Sequence, residues 1–220
     1  MKIDVMQDVK AVNAAYAEAN REKLKNIFTV NIISSPGAGK TTLLEKLVKK
    51  LADKVNIAVI EGDLATARDA LRVQACGIPA IQMNTNGGCH LDAKMIANVL
   101  PGFDLAKLDL LIIENVGNLV CPADFDLGED IKIVLLSVTE GGDKPIKYPI
   151  VFLKSSLAII NKIDLLPYCD VDMYALRKDI SEINPKIRQM EISCREEKNI
   201  DEVAEWFLSQ IMLKKQKSIL

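Results

Sequence analysis

The chain has 220 residues, 28 Lys and Arg against 30 Asp and Glu for a formal charge of −2, and a hydrophobic fraction of 49% with aromatics at 5%. That length suits one α/β domain with a small appendage, and the near-neutral charge offers no footprint for nucleic acid or a membrane surface. No apolar run is long enough to span a bilayer and no secretory signal opens the chain; five cysteines, an odd number, argue for reduced thiols in the cytoplasm and against a disulfide framework.

Residues Asp4 to Lys25 read as one polar, Ala-rich helix with Val5, Val9, Val12, Tyr16 and Ala19 on one stripe. It is expected as an appendage, residues 1–26, to a nucleotide-binding domain over 27–220. Phe28-Thr29-Val30-Asn31-Ile32-Ile33 then reads as a buried strand, and Thr42 to Val48 as a helix. Between them lies Ser34-Ser35-Pro36-Gly37-Ala38-Gly39-Lys40-Thr41. Strand, Gly-rich turn, Gly-Lys-Thr and helix are together the context of a phosphate-binding loop. Backbone from Pro36, Gly37, Ala38 and Gly39 to Thr42 is expected to wrap a phosphate. Lys40 would reach the β- and γ-phosphates, and the Thr41 hydroxyl would hold Mg²⁺. One departure is visible: the motif usually begins with Gly, and here that position is Ser34.

Downstream, strands are expected over Asn56–Gly62, Ile78–Met83, Leu108–Glu114, Ile131–Val138, Leu157–Asn161 and Arg188–Ser193. Helices are expected over Thr66–Ala75, Leu91–Leu100 (stopped by Pro101-Gly102) and Ile200–Leu213, with a loop at Asn84–Gly88 and a solvated tail from Lys214 to Lys217. Alternating elements with several wholly apolar strands imply an α/β fold, its mainly parallel sheet covered on both faces. Ligands then gather at the carboxyl ends of the strands.

Asn161-Lys162-Ile163-Asp164 ends one such strand and selects the base. A carboxylate at Asp164 can accept both the N1–H and the exocyclic amine of guanine, whereas adenine presents a lone pair at N1. The Lys162 stem can lie over the base face, Asn161 would tether the element to neighbouring loops, and Ser193 and Cys194 fall where a last base-contacting loop is expected. Glu114-Asn115-Val116-Gly117 resembles the Asp-x-x-Gly element of GTPases, with Glu for Asp. Glu114 would hold Mg²⁺ directly or through water, and the Gly117 amide would contact the γ-phosphate and release the loop when that phosphate is lost. Asp63 and Asp69 are further acidic groups near this edge, and either could assist the metal or orient water. Asn118 stands where many GTPases carry a water-orienting Gln, so slow intrinsic hydrolysis is expected.

Cys89-His90 adjoins the expected start of a helix, and His90 is the only histidine. Thiolate and imidazole suit Zn²⁺ and Ni²⁺, and a helix N-terminus would lower the Cys89 pKa. Cys121 follows Gly117 by four residues on the nucleotide-sensing loop. Three ligands are too few for a closed tetrahedral site unless a second chain contributes. Two other readings stay open here: buried apolar thiols beside a helix-capping His90, and a Cys-His nucleophile pair. Cys76, Cys169 and Cys194 read as ordinary thiols.

The blocks Ser34–Thr41, Glu61-Gly62-Asp63, Gly88-Cys89-His90-Leu91-Asp92-Ala93, Glu114 to Ala123 and Asn161–Asp164 closely resemble the nickel-insertion GTPases of [NiFe]-hydrogenase maturation, from about Asn26 to the C-terminal helix. The resemblance implies a SIMIBI-class P-loop fold, slow conversion of GTP to GDP and phosphate, and GTP-dependent homodimerisation. It also implies an interfacial Ni²⁺ or Zn²⁺ site built from Cys89, His90 and Cys121. The implied partners are a second nickel-binding maturation factor, met through the N-terminal segment, and the hydrogenase large subunit precursor. Some members carry an N-terminal Cys-x-x-Cys-Gly-Cys site and others a His-rich storage tract; neither pattern is present here, so neither function is expected. The rivals are a urease-type maturation GTPase, a nucleotide-gated binding module with little turnover, and a regulatory GTPase with buried thiols.

Overall fold

The structure, a computed structural model, describes residues 5–63, 68–85 and 87–217, with backbone alone for 5–8 and 68–70. Asp4, Val5 as a side chain, Thr66, the Asp69 side chain and Asn86 lie outside the described residues.

The chain runs α1 (Val5–Lys23), β1 (Phe28–Ser34), α2 (Lys40–Leu51), β2 (Ile57–Asp63), α3 (Arg68–Gln74), β3 (Ala80–Asn84) and α4 (Ala93–Val99). It continues with β4 (Leu110–Gly117), α5 (Cys121–Asp124), β5 (Ile131–Ser137), α6 (Lys144–Lys147), α7 (Pro149–Lys154), β6 (Ser155–Asn161), α8 (Met173–Ile183), β7 (Arg188–Glu191) and α9 (Ile200–Lys217). The strands form one seven-stranded sheet in the order β3-β2-β4-β1-β5-β6-β7. Every pairing is parallel. β1 is buried at all its positions because both its faces are covered, the pattern that apolar runs at the centre of a parallel sheet require.

Successive residues feed opposite faces. Val30, Ile32, Leu110 and Ile112 point to a core under α2 and α9, with Leu43, Leu47, Val203 and Phe207. On the other face the core is split. Val134 and Ile160 pack with Phe152, Leu176 and Ile180. Leu111 and Ile113 pack with Leu24, Ile27, Leu91 and Ile96. Asn31 faces the space between those two clusters, and both the sheet order and this gap matter for the site.

Several expectations change. The Val9, Val12 and Ala19 stripe of α1 faces solvent, with Val12 57% exposed. The buried face is Asn13, Ala17 and Asn20, followed by Leu24. The reason is hydrogen bonding. Asn13 accepts from Ala93 N at 2.9 Å and donates to Asp126 O at 2.8 Å; Asn20 donates to Ala93 O at 2.8 Å and Leu127 O at 3.0 Å. Two asparagines seven apart thus satisfy loop and helix-end backbone that apolar side chains would leave unpaired. The Glu114–Gly117 motif lies within β4, which runs three residues past the expected strand end at Glu114. The Lys214–Lys217 tail is the last turn of α9, and Lys214 and Lys215 pair with Asp130 and Asp109. α8 is a helix absent from the expected elements, although Met173, Leu176, Ile180 and Ile183 recur at helical spacing; Leu176 and Ile180 are its buried positions.

Candidate nucleotide pocket and metal cluster

The phosphate loop turns directly off β1 into α2. Gly39 occupies the position before α2 at φ 101°, and a Cβ there would lie 2.6 Å from Asn161 Nδ2. Only glycine meets both demands without strain. Lys40 Nζ donates to Ser34 Oγ at 2.8 Å, and Ser34 Oγ donates to Ser35 O at 2.6 Å. The departure from the usual leading Gly therefore has a local role: the hydroxyl holds the ammonium over the loop. A cavity of about 510 Å³ opens here, lined by Gly37, Lys40, Thr41, Asp63, Glu114 and Lys162 among others. A larger cavity of about 590 Å³, lined by Phe28, Asp130 and Lys214, lies at the opposite, amino-terminal ends of the strands.

Thr41 Oγ1 donates to Glu114 Oε1 at 3.0 Å. β2 and β4 are in register with Glu61 beside Glu114, and both are buried. Glu61, Asp63, Glu114 and the Thr41 hydroxyl all line this cavity, and oxygen donors of this kind suit a hard cation such as Mg²⁺. Glu61 joins this group through the strand register, which its sequence position does not announce. The Gly117 Cα abuts Pro36, where a Cβ would lie 3.1 Å from the ring and backbone. Any group displacing the phosphate loop must therefore move the end of β4. The pocket also contains Arg72, which sequence reading missed. Its guanidinium meets Glu45 at 3.0 and 2.8 Å and Thr42 Oγ1 at 3.4 Å. The one signal for it is an arginine on the helix that follows an acidic strand end.

At the base side, Asn161 donates to Ala38 O at 2.9 Å and accepts from Cys194 N at 3.1 Å. It ties the phosphate loop to the 193–194 turn. Lys162 has φ 62° and its Nζ donates to Gly37 O at 2.7 Å. Ser193 Oγ donates to Asp164 Oδ1 at 2.6 Å, which fixes the carboxylate. The Cys194 thiol is buried and burial pushes its pKa up to about 11, so its side chain packs while its backbone N–H does the tethering.

Cys89, His90 and Cys121 come together: one ligand atom of each lies within 4.8 Å of the others. Cys89 Sγ is 3.5 Å from His90 Nδ1. Asn118 Nδ2 donates to Cys89 O at 3.2 Å, tying the two segments that bear the thiols. The His90 ring lies over Phe125 with centroids 3.8 Å apart. Burial lowers the His90 pKa, which favours the neutral imidazole that ligates metals. The expected helix start at Leu91 is corrected. α4 begins at Ala93 with Asp92 as its cap, so Cys89 precedes the helix by several residues. In line with this the Cys89 pKa is raised, by its hydrogen bond to the Cys121 thiol and then by burial. Two thiols sharing a proton contact, beside a neutral imidazole, form a soft donor set suited to Ni²⁺ or Zn²⁺. Cys76, Cys169 and Cys194 fall outside this group.

Residues 28–191 match the family model "CobW/HypB/UreG, nucleotide-binding domain". The hydrogenase maturation factor HypB of Escherichia coli (strain K12) is 48% identical over 210 residues, 94% of this chain and 72% of that protein. The crystal structure of HypB from Archaeoglobus fulgidus aligns with a TM-score of 0.86 at 38% identity, over 91% of this chain and 99% of that one. The crystal structure of HypB from Helicobacter pylori in complex with nickel gives 0.86 at 36% identity, over 92% of this chain and 96% of that one. On this fold, these motifs and this likeness, the chain belongs to the CobW/HypB/UreG family of P-loop nucleotide-binding proteins, among the hydrogenase maturation factors HypB.

Proposed function

We propose that this chain is a GTP-hydrolysing metallochaperone that carries Ni²⁺, with Zn²⁺ as the competing ion, toward [NiFe]-hydrogenase. The observation that carries this reading is the clustering of Cys89, His90 and Cys121 within 4.8 Å, beside the strand end that faces the phosphate loop. Asp164, fixed by Ser193, selects guanine; Lys40 meets the phosphates; Gly117 senses the γ-phosphate. Thr41 and Glu114, with Asp63, would hold Mg²⁺, which would supply charge neutralisation for the phosphates.

Cys121 follows Gly117 by four residues, so ordering of that loop by GTP repositions one metal ligand. Three protein ligands leave the coordination open, and a second copy about a two-fold axis would complete it, making metal binding and GTP-dependent dimerisation one equilibrium. A nickel-binding maturation factor would load the site and the hydrogenase large subunit precursor would receive the ion. Metal content and Ni²⁺ affinity of the purified chain, measured with GDP and with a non-hydrolysable GTP analogue, test this. The reading expects tight binding that depends on nucleotide and is lost in Cys121→Ala. Unchanged affinity in that variant under both nucleotides would end it.

A further inference from the structure

Asn115 stands one residue past Glu114 on β4 and is 1% exposed. Its Oδ1 accepts from Leu91 N at 3.1 Å and from Val116 N at 2.9 Å, and its Nδ2 donates to Asn31 Oδ1 at 3.1 Å. Asn31, on neighbouring β1, donates to Glu129 Oε1 at 3.3 Å. The Glu129 carboxylate also takes Lys132 Nζ at 2.7 Å and Leu127 N at 2.6 Å. Lys132 Nζ then donates to Phe125 O at 2.8 Å, and the Phe125 ring lies against His90. These groups fill the gap between the two clusters on that face of the sheet. An apolar residue at position 115 could fill the same volume. It could not accept a hydrogen bond from Leu91 N, the amide that immediately follows His90.

Leu91 has a second attachment. Its side chain rests on the Cα of Gly62, where a Cβ would come within 2.8 Å of it. The His90–Leu91 link is thus held between the acidic end of β2 and the amide of Asn115. A buried amide whose oxygen already accepts two hydrogen bonds tolerates few intermediate positions, because a stretched bond leaves polar groups unpaired away from water. When a γ-phosphate draws the Gly117 amide toward it, Asn115 lies two residues back on the same strand and moves with it. Either Leu91 follows it or the bond breaks, which gives two discrete arrangements.

We propose that Asn115 is a positioning residue that passes nucleotide state to the Cys89–His90 half of the metal cluster through the Leu91 amide. The direct Gly117-to-Cys121 connection serves the other half. This inference rests on the nucleotide–metal linkage proposed above and adds the residue through which it acts.

The test measures Ni²⁺ affinity of the full chain with GDP and with a non-hydrolysable GTP analogue, in the unmodified protein and in Asn115→Ala. In the unmodified protein the two affinities should differ at least fivefold. In Asn115→Ala that ratio should fall below twofold while the GTP analogue still binds. A merely structural asparagine would weaken both affinities together and leave the ratio intact, which overturns the proposal. Amide hydrogen exchange at Leu91 in the unmodified chain gives a second readout that survives a variant that fails to fold. It should change at least tenfold between the two nucleotides, and equal exchange overturns the proposal. A ratio of one in the unmodified protein removes the underlying linkage, and the role of Asn115 with it; an intact ratio in Asn115→Ala removes only the role of Asn115.

Discussion

Leu91 and Gly62 touch so closely that a methyl group on Gly62 would lie 2.8 Å from Leu91 Cγ. Gly62 is the residue between Glu61 and Asp63 at the phosphate pocket, and Leu91 follows His90 of the metal cluster. The two sites therefore share a packing contact as well as a loop. Gly62→Ala should force Leu91 to shift, at a cost of about 1–3 kcal/mol from overpacking. Denaturant unfolding would show that loss. Ni²⁺ affinity should weaken severalfold as His90 is displaced, whereas GTP-analogue affinity should change less.

Asp164→Asn is a specificity change. Ser193 Oγ can still donate to the side-chain oxygen that the variant retains, so the turn is kept, but the new amide offers a donor where guanine also presents donors. GTP affinity should fall by about two orders of magnitude. Xanthosine triphosphate, which carries a carbonyl in place of the exocyclic amine, should bind better to the variant than to the unmodified chain. Competition titration with the two nucleotides reads this directly.

The buried face of α1 makes a contrast that can be measured. Asn20→Ala removes the donor to Ala93 O and Leu127 O, both in segments that flank the metal cluster. Ala93 O keeps its partner inside α4, but Leu127 O is left unpaired, which should cost about 1–3 kcal/mol. Val12→Ser, on the exposed stripe, should change stability by no more than about 0.5 kcal/mol. Equal effects in a denaturant series would contradict the orientation of the helix.

Cys194 gives a pH dependence. Its thiol ionises at about 11 in the folded chain, raised by burial from the ordinary value of 9.0. Above pH 9 the unfolded chain gives up this proton and the folded chain does not, so stability is full below pH 9 and falls as pH climbs toward 11. The loss is about 3 kcal/mol when complete. Cys194→Ala should flatten that part of the stability profile, and Cys194 should resist thiol reagents under native conditions where the exposed Cys89 reacts.

Much of this molecule is legible before it folds, and for a physical reason. Phosphate binding needs a glycine-rich turn between strand and helix, so Gly37 to Thr41 is contiguous. The Asn-Lys-x-Asp motif expected to select guanine is likewise contiguous, at Asn161 to Asp164. Wholly apolar strands between helices can only be the inside of a parallel sheet. Cys89, His90 and Cys121 are nameable as soft donors, but residue types alone left other readings open, and the family resemblance is what implied a metal site.

What the chain order could not decide was anything set by contacts across it. Amphipathic spacing puts Val9 and Val12 inward; the folded chain turns Asn13 and Asn20 inward, since loop carbonyls and the first amide of α4 need partners that only the tertiary structure reveals. Glu61 joins Glu114 through strand register, and Arg72 enters the pocket by helix placement. The helix starts at Ala93 instead of Leu91, and the Cys89 pKa, expected to fall, is raised by the hydrogen bond to Cys121 and by burial. The sequence alone named the groups on offer: a phosphate loop, a guanine-type selector motif and a few soft donors. The tertiary structure decided how these are joined, because Leu91 meets Gly62 and Asn115, and Asn118 meets Cys89, across many residues of chain.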